Sequence, residues 1–227
     1  MPRPRRDSEI LPAKDRLENA FWTLLEEGDY DKITVTDIVR VAEVNRNSFY
    51  YHFSGLPELA DSAILHEVEK LPMPIYSRAE GDPNVEWRHF CVRLLNDPDQ
   101  IQHLNRLSLL VGFHSTHELT ESLRDFLRMT LLTIIDRDTA TLDPKSEMLV
   151  DFCIGGVLAA LYNWPHMRNR ITVDDLLDSD IAILSMGLFL TMSGEDPMPY
   201  WRRMVLGYNR IGNHVPAYAA VTNERYR

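Results

Sequence analysis

Residues 33–53 read ITVTDIVRVAEVNRNSFYYHF, and this stretch predicts two short helices joined by a tight turn. Thr34, with an acidic residue three positions later, has the spacing of a capping box, which binds the free amides of a first helical turn. Asn45 is the N-cap candidate of the second helix, where Phe49 and Phe53 lie four residues apart on one face. The polar and aromatic residues beside these two phenylalanines must therefore point away from the core.

This arrangement resembles the helix-turn-helix of TetR/AcrR-type transcriptional regulators. The resemblance includes an apolar first helix that ends at Gly28, the ITVTDI start and the SFYYHF close, and it reaches a fourth helix near residues 59–63. It implies an all-α fold, with an N-terminal three-helix DNA-binding unit in residues 1–71. Residues 72–227 would form a larger helical domain for effector binding and dimerisation.

Two positions depart from the family pattern. Glu43 stands where the family usually has glycine, and a positive φ at a residue with a side chain costs about 1 kcal/mol. Leu56 stands at the start of the fourth helix, where the family usually has a lysine that contacts phosphate. We therefore expect the fold to be kept and one phosphate contact to be missing.

The start of the second helix holds the base-reading candidates. A recognition helix presents its first residues to base edges in the major groove, which selects Arg46, Asn47 and Ser48. Arginine can bind a guanine edge with two hydrogen bonds and asparagine an adenine edge. Amides and hydroxyls at the start of the preceding helix suit phosphate oxygens, and these belong to Thr34, Val35 and Thr36.

Three further residues complete the predicted DNA surface. The resemblance places Tyr50 and His52 where family members contact the DNA backbone and thymine methyl groups. Tyr51 is a further candidate, and we expect it to be half buried. The alternative is that Tyr50, Tyr51 and His52 all pack beneath the fourth helix.

The charge of the chain is unusual for a DNA-binding protein. The net charge is −10, and residues 1–70 hold nine basic and fourteen acidic residues. Residues 44–57, however, contain Arg46 and no acid, while Arg3, Arg5 and Arg6 form a basic arm. This arm either follows phosphates, enters the minor groove or is a disordered tail. We expect weak electrostatic steering and a modest salt dependence.

Cysteine usage and hydropathy indicate an intracellular protein. Cys91 and Cys153 are far apart and lack the spacing of a zinc site or a disulfide framework, so both are expected in the core. The first 30 residues lack the apolar segment of a signal peptide. The uncharged stretch 152–165 is too short to span a bilayer. The prediction is a cytoplasmic protein without a membrane partner.

Two apolar helices follow in the second half of the chain. Asp143 and Pro144 open a helix that is predicted to stop before Pro165 and to be buried on several sides. Thr172 caps the next helix. The resemblance implies that such a pair forms the four-helix bundle of a homodimer, and an intramolecular core is the alternative. The interface candidates are Leu149, Phe152, Gly156, Ala160, Leu177, Ile181, Leu184 and Leu188.

Regulators of this type usually hold a small-molecule pocket among the middle helices. His114 and His117 also have a spacing that suits a metal, but too few further ligands are near, so neither a metal nor a cofactor is predicted. Ordinary core packing or surface exposure is the alternative for each candidate. The pocket candidates are Trp87, His103, Phe113, His114, His117, Phe126, Met129, Tyr162 and Trp164.

The sequence thus predicts a dimeric, sequence-specific regulator of transcription, most often a repressor in the resembled family. A small-molecule effector would release it from a pseudo-palindromic site on double-stranded DNA. The alternative is a protein of the same fold that acts on a protein partner without specific DNA binding. An enzyme is not expected, because no nucleophile elbow, phosphate loop or dinucleotide motif is present.

Overall fold

The computed structural model describes residues 11–71, 83–134 and 142–178. Within these ranges the regular structure is entirely helical and includes no strand, which confirms the all-α prediction. A 3₁₀ turn at Tyr30–Lys32 follows the first helix. The α-helices of the described residues are α1 (Ala13–Glu27), α2 (Val35–Val41), α3 (Arg46–His52), α4 (Leu56–Glu69), α5 (Pro83–Asn96), α6 (Pro98–Leu109), α7 (His117–Ile134), α8 (Pro144–Met167) and α9 (Val173–Leu177).

Side-chain caps begin both short helices of the helix-turn-helix, as predicted. The Thr34 hydroxyl accepts a hydrogen bond from the Asp37 amide, and the Asp37 carboxylate accepts one from the Thr34 amide, each 3.2 Å long. The Asn45 side chain accepts a 2.7 Å bond from the amide of Ser48. Helices of seven residues are unstable alone, so these caps and the packing beneath them maintain α2 and α3.

The N-terminal core is built on α1, which packs against α2, α3 and α4. Phe49 and Phe53 are both buried, with ring centroids 5.9 Å apart, which confirms that they share the inward face of α3. Their burial turns the opposite face of α3 to solvent. The other buried side chains of this core include Leu17, Ala20, Phe21, Trp22, Leu25, Ile38, Leu59, Ala60, Ala63 and Ile64.

The described residues divide into two compact units. The first contains α1 to α4 together with Arg93–Ile171, in which α4 packs on α6 and α7, and α8 packs on the same two helices. In the second unit, the Trp87 indole Nε1 donates a 3.0 Å bond to the carbonyl of Leu176, and α9 begins with the predicted capping box. The domain boundary at residue 71 stays a prediction.

Helix α8 differs from its prediction at its end. It continues through Pro165 to Met167 instead of stopping before the proline. Proline cannot donate a hydrogen bond to the carbonyl four residues earlier, and its ring crowds that carbonyl, but neither effect prevents the following residues from closing a last turn. The amide of Arg168 still donates to the carbonyl of Trp164 at 2.9 Å, and this bond closes the last turn.

The expected burial of α8 on several sides is wrong for the single chain. Only one stripe is buried, while Met148, Phe152 and Tyr162 are more than half exposed. By length and hydropathy α8 is also the one helix of the described residues that could cross a membrane, a criterion that core helices of soluble proteins meet as well. The buried stripe consists of Val150, Ile154, Leu158, Leu161 and Trp164.

Candidate nucleic-acid interface

The outer face of α3 is open to solvent. Arg46 and Asn47 are exposed, and Ser48 and His52 are half buried. Tyr50 is 51% exposed and Tyr51 84% exposed, so neither is packed beneath α4. Tyr51, which was expected to be half buried, is the more accessible of the two tyrosines. The structure thus places all six predicted residues on one short helix, and the longest of the side chains classed as exposed are those of Arg46, Tyr50 and Tyr51.

Arg46 contacts Tyr50 one helical turn later. Its Nη2 lies 3.4 Å from the phenolic oxygen, and its guanidinium carbon lies 5.7 Å from the centroid of the ring. A guanidinium over an aromatic face is attracted by the ring quadrupole. The pair holds the Arg46 side chain over the outer face of α3, where base edges would lie in a major-groove complex.

The start of α2 offers fewer free groups than its sequence suggests. The Thr34 hydroxyl donates to the Asp37 carboxylate at 2.6 Å and is used in the cap, whereas Thr36 is exposed and Val35 is half buried. The hydrogen bond from Thr34, with a further one from Arg40, holds the pKa of Asp37 below its usual value. Thr36 is therefore the better phosphate candidate of the two threonines.

The start of α4 lacks a cation, as the sequence indicates. Gly55 is its N-cap and has no side chain to donate. Leu56 is half buried, and the exposed Glu58 accepts a 2.7 Å bond from the Ser54 amide. Hydrogen bonds from the side chain and then the amide of Ser54 lower the pKa of the Glu58 carboxyl. An ionised carboxylate thus stands next to the position from which a lysine would reach phosphate. Sequence analysis had not identified this cap.

Part of the acidic charge of the first 70 residues is internal. Glu18 is buried on α1 and accepts a 2.8 Å bond from the Ser62 hydroxyl; its other oxygen lies 2.9 Å from His66 Nδ1. Glu67 is buried on α4 and accepts a 2.6 Å bond from Arg106. These two carboxylates are neutralised or hydrogen-bonded within the protein. Two of the fourteen acids of residues 1–70 are therefore not on the protein surface.

The predicted effector candidates differ widely in exposure. Trp87 and Trp164 are buried, and each indole is hydrogen-bonded to protein, the latter to Asn105 Oδ1 at 2.9 Å. Phe113 is 93% exposed in the segment between α6 and α7. Phe126 is half buried, and the remaining apolar or aromatic candidates, Met129 and Tyr162, are exposed. An effector pocket made of this set stays a prediction.

The three histidines of that set are also separate. His114 Nδ1 lies 2.7 Å from the Asp29 carboxylate, while His117 is exposed at the start of α7. His103 is buried and bonded to Glu67. Within the described residues, no three histidine, cysteine or acidic side chains are grouped so that they could hold a metal ion.

A buried polar cluster joins α1, α4 and α6, and sequence analysis did not find it. Arg106 donates to Glu67 at 2.6 Å and to Asn19 Oδ1 at 2.7 Å, and His103 binds the second Glu67 oxygen. The guanidinium carbon of Arg106 also lies 5.9 Å from the centroid of the Trp22 ring. The three-residue spacing of His103 and Arg106 places both on one face of α6, but their partners are distant in sequence.

This geometry defines a helix-turn-helix protein with an accessible recognition helix. Residues 19–63 match the family model described as bacterial regulatory proteins, tetR family. Residues 19–63 therefore carry the segment that this family model describes, and the predicted resemblance to TetR-type regulators is confirmed. This assignment supports a role in DNA-binding transcription regulation. A comparison with curated protein sequences gives no significant match.

Solved structures of similar architecture include a TetR-family transcriptional regulator from Streptomyces coelicolor. It shares 20% identity at a TM-score of 0.50, over 86% of this chain and 91% of that one. NalD of Pseudomonas aeruginosa, the secondary repressor of the MexAB-OprM multidrug efflux pump, shares 18% identity at a TM-score of 0.47, over 79% of this chain and 96% of its own. At 20% identity, the similarity to the Streptomyces coelicolor regulator shows a shared fold and nothing more.

Proposed function

We propose that this protein is a dimeric regulator that binds a pseudo-palindromic DNA site through α3 and is released by a small-molecule effector. The observation that carries the proposal is the outer face of α3. It presents Arg46, Asn47 and Tyr51 to solvent on a segment without acidic residues. Arginine and asparagine are the side chains best suited to guanine and adenine edges.

The exposed face of α8 supports the dimer. Met148, Phe152, Gly156 and Ala160 follow one another at four-residue intervals, and all are exposed. A Cβ added at Gly156 would meet no atom of the same chain within 4 Å. An apolar helix face with small residues at its centre suits close packing against the same face of a second copy. Two copies would present two α3 helices to half-sites about 34 Å apart.

The other interface candidates give no further support to the dimer. Leu149 and Leu177 are half buried in the single chain. Ile181, Leu184 and Leu188 lie outside the described residues. The dimer proposal therefore depends on α8.

DNA binding is tested by selecting bound sequences from a random duplex library at about 150 mM salt. We expect enrichment of an inverted repeat. Arg46→Ala and Asn47→Ala should each relax the preference at one position per half-site, by about 1–3 kcal/mol. Arg124→Ala on α7 is the matched control and should keep the selected sequence. No enrichment by a folded dimer would favour the alternative, a protein of this fold that acts through a protein partner.

Dimer formation is tested separately by sedimentation of the free protein. Gly156→Leu should convert the dimer to a monomer, because its side chain would hold the two α8 helices apart. Asp125→Leu adds the same side chain at an exposed position of α7 and should leave the dimer intact. A dimer of unchanged affinity in Gly156→Leu would exclude α8 as the interface.

We further propose that the regulator is a repressor. An effector that binds better to the conformation with a wrong spacing of the two α3 helices would lower DNA affinity by population shift. A reporter gene placed behind the selected site should be expressed more strongly when the regulator is deleted. Weaker expression on deletion would instead identify an activator. No enzymatic activity is expected.

A further inference from the structure

A cleft of about 580 Å³ lies between α1, α4 and the first half of α6, all within the first compact unit. All eight residues that line it are polar or charged. They include Asn19 of α1, Lys70 at the end of α4, and Asp97, Asp99 and Gln100 around the start of α6. This location differs from that of most of the predicted effector candidates, of which the cleft contains His103 alone.

The inner wall of the cleft is already satisfied by protein groups. Arg106 uses one nitrogen for Glu67 and the other for Asn19, and His103 Nδ1 is bonded to Glu67. The Asp97 carboxylate accepts a 3.0 Å bond from the Asp99 amide as the cap of α6. These hydrogen bonds already hold the side chains of Arg106, His103 and Asp97 in place.

Gln100 is the exception in this wall. It is 7% exposed, and its Oε1 is buried without a hydrogen-bond donor; among the described side chains it is the one buried oxygen or nitrogen left unpaired. Buried polar atoms of folded proteins are almost always paired, because an unpaired one keeps the cost of losing water. Because Gln100 lines the cleft, its unpaired oxygen is the group there that a donor from a bound molecule would stabilise.

The charges around this oxygen limit the kind of molecule. Lys70 supplies one positive charge to the cleft and Asp97 and Asp99 supply two negative charges, while the Arg106 guanidinium is already paired with Glu67. An anionic ligand would be repelled by the two aspartates and a cationic ligand by Lys70, and an apolar ligand would remove hydrated charges from water without replacing their hydrogen bonds. An uncharged ligand rich in hydroxyl groups avoids both costs.

We propose that this cleft binds a small, uncharged polyhydroxy compound, a monosaccharide or a polyol. One hydroxyl would donate to Gln100 Oε1. Others would donate to Asp99 and accept from Lys70, since each hydroxyl can do both. The volume lies within the range of small-molecule sites. The proposal concerns the free protein and does not depend on DNA binding, so either proposal can fail alone.

The test is titration calorimetry of the full chain without DNA. The probes are D-glucose, D-galactose, D-mannitol and myo-inositol, with glycine, glucose 6-phosphate and tert-butanol as zwitterionic, anionic and apolar comparisons. We expect saturable binding of at least one polyol and no saturable binding of the comparisons. Gln100→Leu should weaken that binding by at least about tenfold. Asp125→Leu, outside the cleft, should bind as the wild type does.

A second variant keeps the test decisive if Gln100→Leu does not fold. Asp99→Ala changes an exposed side chain at the rim and should also weaken polyol binding. The proposal is overturned if no polyol binds saturably, since the Gln100 oxygen is then served by water only. It is equally overturned if Asp99→Ala and every folded Gln100 variant bind as tightly as the wild type, or if a comparison compound binds more tightly than all four polyols.

Discussion

Arg16 on α1 donates a 2.8 Å hydrogen bond to the backbone carbonyl of Glu43, the residue at which the chain turns from α2 to α3. Glu43 has φ of 51°, and no other non-glycine residue of the described chain has a positive φ. The same guanidinium lies 3.7 Å from the Glu43 carboxylate, which is itself exposed. The side chain of Glu43 disfavours this turn, and the hydrogen bond from Arg16 on α1 stabilises it. The same bond helps to fix where α3 begins.

Glu43→Gly should stabilise the protein. Glycine adopts a positive φ without the clash of a Cβ, so the free energy of unfolding should rise by about 0.5–1 kcal/mol. The bond to the carbonyl from Arg16 remains, since it involves the backbone. Urea unfolding measures the change, with Glu26→Gly in α1 as the control that should be destabilised. A less stable Glu43→Gly protein would show that the turn is not strained.

Arg16→Met tests the other side of this contact. It keeps much of the apolar stem but removes the donor, and the free energy of unfolding should fall by about 1 kcal/mol. The affinity for the selected DNA should fall as well, because α3 loses a contact that positions its start. Arg16→Lys, which retains a charge but not the planar donor group, should recover only part of both losses. If Arg16→Met binds the selected DNA as tightly as the wild type, the Arg16–Glu43 contact contributes to stability and not to DNA binding.

Tyr51→Ala should weaken DNA binding without affecting the fold. The side chain is 84% exposed, so its removal costs no core packing and the thermal midpoint should stay constant. Loss of one contact to the DNA backbone should cost about 1 kcal/mol at all sequences alike. Comparison with Phe49→Ala, which removes a buried ring and should unfold the domain, separates the two faces of α3. Equal affinity of Tyr51→Ala and wild type would remove Tyr51 from the interface.

Sequence patterns predicted the local features of this protein well. The caps at Thr34, Asn45, Asp143 and Thr172 and the strain at Glu43 all follow from rules that concern a few neighbouring residues. The polar contacts between helices could not be predicted from such local rules, because helix packing decides which side chains meet. Glu67 and Arg106 lie far apart in the sequence, and neither residue type reveals its partner.

The exposure of α8 escaped prediction for a related reason. Hydropathy indicates which residues avoid water, but it does not say whether the cover comes from the same chain or from a second copy. Phe152 and Leu158 are both large and apolar in sequence, yet the first is 62% exposed and the second is buried. The predicted end of α8 before Pro165 was wrong because a proline near the end of a helix disturbs only the last turn, and α8 continues to Met167.

The buried Glu67 should depend strongly on its arginine. Arg106→Met leaves a buried carboxylate with His103 as its remaining side-chain partner, and the free energy of unfolding should fall by about 2–4 kcal/mol. Adding Glu67→Met to that variant removes the unpaired charge and should restore part of the loss. Urea unfolding of the two single variants and the double variant measures the coupling. Additive losses would mean that the Glu67–Arg106 contact contributes nothing of its own.

The capping carboxylates should make stability depend on pH in the acid range. Hydrogen bonds from Ser146 and Thr172 lower the pKa of Asp143 and Asp175, respectively, below the ordinary value of 3.8. A carboxyl whose pKa is lower in the folded chain binds fewer protons there than in the unfolded chain, so acid favours unfolding.

Their contribution is therefore complete above the ordinary value and is lost as the pH falls through the folded-state pKa. These two carboxyls should therefore leave the urea midpoint nearly constant from about pH 7 to about pH 5. At pH values below about 4, their protonation should lower the urea midpoint. Asp143→Asn keeps a capping oxygen but cannot titrate, so its curve should fall less steeply in acid than that of the wild type. Parallel curves would show that Asp143 titrates alike in both states, in contradiction of its place at the start of α8.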